Sequence, residues 1–164
     1  MREIIQLIYK INLFKRIVPS ILKRIIKIIN KKSTIVKYDK VYFDLNLNNP
    51  IDREIYLKGS YEKKQLNLMT ELIKNNKINY FVDIGAHMGF YSINLSSIKI
   101  KTYAFEPVKS NYSQLERNKL INNFSNLKIY NLALSNENKE VLMWVTDKNK
   151  TGGYSIFDKN DEEI

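Results

Sequence analysis

The stretch of this chain that most restricts its fold lies over residues 80–107. An apolar run, Tyr80-Phe-Val-Asp-Ile84, enters a turn with glycines at 85 and 89, and a second run, Lys101-Thr-Tyr-Ala-Phe105, ends in Glu106-Pro107. That order predicts a strand, a tight turn, a short helix and a second strand with an acid at its tip. Glycine lacks a Cβ and tolerates positive φ, so the backbone can turn sharply and approach a ligand closely. A carboxylate at the tip of the next strand can accept hydrogen bonds from both ribose hydroxyls of an adenosine.

The interval from Gly85 to Glu106 is 21 residues, which suits either a dinucleotide or a nucleoside cofactor. The loop itself separates them. Asp83, Gly85, Ala86 and Gly89 give D-x-G-A-x-x-G, without the first G-x-G pair of the dinucleotide fingerprint. An anionic Asp83 sits badly against a pyrophosphate and well against a cationic amino acid. S-adenosylmethionine carries an ammonium, a sulfonium and no phosphate, and is the favoured ligand. NAD and a loop that binds nothing are the competing readings.

At these residues the chain resembles the FkbM-type methyltransferases, whose core runs roughly D-x-G-A-N-x-G, F-E-P and N-x-A-L-S. The matching pieces are Asp83-Ile-Gly-Ala-His-Met-Gly89, Phe105-Glu106-Pro107 and Asn131-Leu-Ala-Leu-Ser135, flanked by Gly59-Ser-Tyr-Glu62 and Gly152-Gly-Tyr-Ser155. His87 departs from the family's usual Asn, although both side chains can donate a hydrogen bond. The resemblance implies a class I Rossmann-like parallel sheet. It also implies a Gly85 loop along the methionine part of the cofactor, Glu106 on the ribose and Asn131 beside the adenine. It also makes Tyr61 or Glu62 a candidate contact to the cofactor's amino acid end, beside the plainer reading of Glu62 as a first-turn acid favoured by the helix dipole. The family's usual acceptors are hydroxyls on sugars, glycans and small metabolites. His87, the only histidine, is not assigned as a general base, because this loop grips the cofactor and the acceptor approaches from elsewhere.

The resemblance further implies a fourth parallel strand ending in an acidic motif such as I-D-V-E-G. The chain ends in an acidic run over residues 158–164 without one. The expectation is a C-terminally truncated enzyme holding the cofactor half and lacking the acceptor half. Its first strand is then unpaired on one flank, it is inactive alone, and its catalytic base is unassigned. A non-catalytic cofactor-binding fragment or scaffold is the alternative.

Composition supports one folded domain: 164 residues, 44% of them apolar, suffice for a core. With no cysteine and one histidine, disulfide and thiolate chemistry are excluded and the usual transition-metal sites are disfavoured. The net charge of +10 is local. Residues 1–40 hold 11 Lys and Arg against 2 acids, whereas residues 41–164 hold 16 against 15. Ile4, Ile8, Ile11, Phe14, Val18, Ile21, Ile25 and Ile28 recur at helical spacing among these basic residues, which predicts an amphipathic segment with a kink at Pro19. Its longest uncharged runs are six residues, too short for a transmembrane span or a signal peptide. The protein is therefore expected in the cytoplasm. The segment over residues 1–32 packs on the domain, lies on an anionic inner-membrane surface, or touches nucleic acid, the last disfavoured because aromatics do not alternate with the basic residues.

The predicted organisation is a basic helical segment over 1–35, a small strand region over 36–58, a partial S-adenosylmethionine-binding domain over 59–157 and an acidic tail over 158–164. Val41, Phe43 and Leu45 alternate as a strand, and Asn48-Asn49-Pro50 marks a turn. A helix over about 61–75 is capped by Ser60, with Glu62 in its first turn and Leu66, Met69, Leu72 and Ile73 inward. A helix over 110–121 turns Tyr112, Leu115 and Leu120 inward, residues 127–132 form the third strand, and 141–145 form an antiparallel addition.

Overall fold

The computed structural model describes residues 2–11, 15, 17–21, 24, 33–140, 143–145 and 154–156. Alternating strand and helix signals after residue 79 produce a three-stranded parallel sheet in the order β3-β4-β5, from β3 (Tyr80–Ile84), β4 (Lys101–Phe105) and β5 (Leu127–Tyr130). Helices α4 (Phe90–Ser96) and α5 (Lys109–Asn122) make the crossovers, as parallel neighbours require. The register pairs Asp83 with Ala104 and Ala104 with Ile129. The chain thus has the α/β, Rossmann-like class expected from its sequence.

The two faces of this sheet differ. On the helix-covered face lie Phe81, Asp83, Thr102, Ala104 and Leu127, and the core there includes Ala104, Ile93, Leu95, Leu115 and Leu127, all fully buried. On the other face Tyr80 stacks on Tyr103 and Phe105 on Tyr130. Val82 and Ile84, on this same face, are 52% and 66% exposed. Among the described residues β3 pairs only with β4.

Ahead of the sheet stands an antiparallel hairpin of β1 (Ser33–Tyr38) and β2 (Val41–Asn46), turning through Asp39 at φ 51°. Val41, Phe43 and Leu45 are buried as their alternation predicts. After it comes α2 (Pro50–Lys58), where the sequence had suggested only a turn. Asn49 and Pro50 are a helix start: Asn49 Oδ1 accepts from Ile51 N at 3.1 Å and proline occupies the first turn.

Hairpin and sheet share one core, in which Tyr38, Phe43 and Phe90 pack ring on ring. A polar seam holds them together. Asn122 Nδ2 donates to Tyr42 O at 2.7 Å while its Oδ1 accepts from Tyr42 N at 2.8 Å. Asn118 Oδ1 accepts from Asp44 N at 2.7 Å, and Gln114 Nε2 donates to Asp44 O at 2.9 Å. Side-chain amides of α5 thus pair the open edge of β2, as a further strand would. This explains a difference from the predicted helix, in which Leu120 faced inward: Leu120 is 70% exposed, and Asn111, Gln114 and Asn118 are buried beside Leu115.

Two other expectations shift. Helix α3 spans Lys63–Asn75 with Glu62 at its N-cap in the left-handed region (φ 41°), so Ser60 is not the cap and Glu62 is not in the first turn. Ile73 is buried, and Leu66 and Met69 pack inward, but Leu72 is 48% exposed. Strand β6 (Met143–Val145) pairs antiparallel with β7 (Tyr154–Ile156) as a separate two-stranded sheet, not as an addition to the parallel one. Residue 141, Gly152, Gly153 and the acidic run 158–164 lie outside the described residues.

The basic segment begins with α1 (Arg2–Lys10), whose Ile5 and Tyr9 pack against the core. Gln6 Nε2 and Arg2 Nε both donate to Tyr56 O, at 2.9 and 3.3 Å. The stripe picked out by periodicity does not face the domain: Ile4, Ile8, Ile11 and Ile21 are exposed, and of its members only Val18 packs inward among the described residues. Phe14, Ile25 and Ile28 lie outside those residues.

Candidate functional site

All six residues singled out from the sequence as cofactor contacts gather at the C-terminal ends of the parallel strands, where open α/β sheets bind ligands. Asp83 is the next-to-last residue of β3, Gly85, Ala86 and Gly89 lie in the following turn, Glu106 follows β4, and Asn131 follows β5.

The turn is built by main-chain bonds. Gly85 N and Ala86 N both donate to Phe105 O, at 2.9 and 3.0 Å, and Gly89 N donates to Ala86 O at 2.7 Å. Gly85, His87 and Gly89 all have positive φ, at 78°, 52° and 85°. The two glycines serve different ends. A Cβ on Gly89 would lie 2.2 Å from Leu115 Cδ1, so this glycine lets α4 and α5 approach. A Cβ on Gly85 would meet nothing within 4 Å, so this glycine faces open space.

Glu106 organises the site. Its carboxylate is 4% exposed; Oε2 accepts from His87 N at 2.7 Å, and Oε1 from Val108 N at 3.0 Å and Asn111 Nδ2 at 3.2 Å. One acid therefore ties the glycine turn to the start of α5. Asn131 Nδ2 donates to Glu106 O at 2.8 Å and Pro107 O at 2.9 Å, which latches β5 to the same corner. Its amide nitrogen is engaged by these two carbonyls.

Asp83 turns to the helix-covered face, where Oδ2 accepts from Ser92 N at 3.1 Å and from the Ser92 hydroxyl. Burial pushes its carboxyl above the usual range, the Ser92 bonds oppose, and the nearby Glu106 charge adds to the rise. Two acids with little solvent share this corner, which makes it receptive to a cation.

Four neighbouring residues, Tyr38, Tyr91, Ser92 and Asn111, escaped the sequence reading. Tyr91 donates to Glu62 Oε2 at 2.6 Å, and burial followed by the Glu62 carboxylate raises the phenol's pKa. Tyr38 donates to Tyr61 O at 2.9 Å and accepts from Tyr61 N at 3.1 Å, while the Tyr61 ring meets Phe90 edge-on. The segment 59–62 is thereby tied to the helix that leaves the glycine turn. Ser92 and Asn111 carried no signal, because a helical serine or asparagine is ordinary until its partner is known.

No family model matches the chain, and no curated protein matches it. Among solved structures it is similar to the tRNA (uracil-54, C5)-methyltransferase of Pyrococcus abyssi, crystallised with S-adenosyl-L-homocysteine. That similarity has 16% identity and a TM-score of 0.46, over 61% of this chain and 24% of that one. It is also similar to TYW2 of M. jannaschii in complex with AdoMet, at 25% identity and a TM-score of 0.41, over 62% of this chain and 43% of that one. The chain thus spans less than half the length of either. Both TM-scores lie below 0.5, and the fold class stands on the chain's own sheet order.

Proposed function

We propose that this chain carries the S-adenosylmethionine site of a class I methyltransferase of the FkbM type, acting on a hydroxyl of a sugar, glycan or small metabolite. The observation that carries the reading is the junction of Glu106 with the glycine turn at the C-terminal edge of a parallel sheet. Open space at Gly85 admits the methionine part, and Glu106 holds the ribose. Asn131 lies toward the adenine, and the paired acids Asp83 and Glu106 favour a cationic sulfonium and ammonium over a pyrophosphate. Three protein donors already reach the Glu106 carboxylate, two of them on Oε1, so Oε2 keeps an acceptor site for a ribose hydroxyl. The bound cofactor supplies an electrophilic methyl group; the chain's residues bind and orient it. No residue of this chain is assigned as the base that takes the acceptor's proton.

A cytoplasmic location belongs to the same reading, as does a peripheral contact of the basic segment with the inner membrane surface. Among the described residues no helix is long and apolar enough to cross a membrane.

Calorimetry with S-adenosylhomocysteine, and NAD as the control, tests the cofactor. Glu106→Gln is expected to weaken binding by about 1–3 kcal/mol through loss of charge-assisted hydrogen bonds. Equal affinity in both proteins removes the ribose role, and tighter binding of NAD removes the methyl-donor reading. Labelled methyl transfer to glycans and metabolites, with tRNA alongside, tests the acceptor; transfer to tRNA alone replaces the hydroxyl acceptor.

A further inference from the structure

Helix α1 carries two apolar rows. At about 100° per residue, Ile5 and Tyr9 share one side with Arg2 and Gln6, and this is the side that packs on the domain and donates to Tyr56 O. Ile4, Leu7 and Ile8 fall on the opposite side, and Ile11 stands in the bend that follows the helix. The four are 63%, 66%, 39% and 53% exposed. Two further isoleucines of the helical residues that follow, Ile17 and Ile21, are also exposed. Spacing of i, i+3, i+4 and i+7 is what a helix shows to an apolar partner. The docking on the domain, already complete on the other side, leaves this row unused.

Charge selects the partner. Residues 1–40 carry 11 basic side chains against 2 acidic ones, and the remainder of the chain is close to neutral. Lys10 and Arg24 are exposed on the helical segment. A docked helix with an outward apolar row in a strongly basic segment matches a surface that is apolar beneath and anionic above.

We propose that the outward row of α1, Ile4, Leu7 and Ile8, with Ile11 just beyond it, inserts into the interfacial layer of an anionic phospholipid membrane, with Lys10 and Arg24 on the headgroups. The inward row holds the domain to the same helix, so the domain is carried against the membrane rather than on a tether. This rests on the peripheral-contact reading of the basic segment and is independent of the cofactor assignment.

The test is co-sedimentation of the whole chain with vesicles of phosphatidylcholine alone and of phosphatidylcholine mixed with phosphatidylglycerol. Binding is expected to the mixed vesicles at low salt, with release at high salt. Leu7→Glu with Ile8→Glu is expected to lower partitioning by about tenfold or more, with thermal midpoint and S-adenosylhomocysteine affinity unchanged because both residues are exposed. Ile17→Glu with Ile21→Glu serves as the second pair. Full binding by both double variants overturns insertion and leaves charge attraction alone. Absence of wild-type binding to mixed vesicles overturns the proposal outright. A dimer dissolved by Leu7→Glu and Ile8→Glu identifies a second copy as the occupant, and RNA binding lost in the same variant identifies RNA; either result overturns it too. Since S-adenosylhomocysteine binding is read separately, failure here and failure of the cofactor site are distinguishable.

Discussion

The glycine turn after β3 and the seam between β2 and α5 solve the same problem in opposite ways. In the turn, main-chain amides of His87 and Val108 converge on one side-chain carboxylate, that of Glu106. In the seam, side-chain amides of Gln114, Asn118 and Asn122 converge on one main chain, that of β2. Both places pair most of their buried polar groups, and in the turn a Cβ on Gly85 would still meet nothing within 4 Å. Satisfied backbone makes a structure; satisfied backbone beside a vacancy shaped by a missing Cβ makes a candidate site.

The largest expected effect sharpens the contrast inside the turn. Gly89→Ala places a methyl against Leu115 at positive φ and is expected to cost about 2–5 kcal/mol of stability by denaturant unfolding. Gly85→Ala meets no atom, and is expected to cost only the backbone strain of about 1–2 kcal/mol while weakening S-adenosylhomocysteine further. Equal losses of stability with unchanged affinity would remove the functional distinction between the two glycines.

Next comes a pH effect at the seam. Asp52 is fully buried; Oδ2 accepts from Asn46 N and Gln114 Nε2, both at 2.6 Å, while Oδ1 has no hydrogen-bond partner. Burial, opposed by these two bonds, raises its pKa to about 6. The folded protein therefore holds this proton more tightly than the unfolded chain. The resulting stability is fully present below the unfolded value near 4 and is lost as pH rises through about 6. A shift of that size corresponds to about 3 kcal/mol. Asp52→Asn is expected to flatten the dependence of unfolding free energy on pH across that window; an unchanged profile would assign the dependence elsewhere.

The smallest effects grade the seam along its length. Asn118→Ala leaves Asp44 N and Met88 O without their side-chain partner in a buried place, for a loss of about 1–3 kcal/mol. Asn122→Ala acts at the exposed end, where water replaces the amide, and is expected to cost about 1 kcal/mol or less. Equal costs would mean that the seam is as wet at its centre as at its end.

The sequence by itself determined the order of the strands and the gathering of Asp83, Gly85, Ala86, Gly89, Glu106 and Asn131 at one sheet edge. It could do so because apolar runs, glycine turns and right-handed crossovers are local or nearly local rules. It also marked the outward row of α1 as apolar, though not which way that row points. Only the tertiary structure decided that α5 buries amides instead of Leu120, because the need comes from the open edge of β2, more than 70 residues earlier. Likewise only the structure separates the roles of Gly85 and Gly89, identical as letters, since Leu115 stands beside one and nothing beside the other. Periodicity reports that a side chain is apolar; what it meets is a property of distant chain brought close.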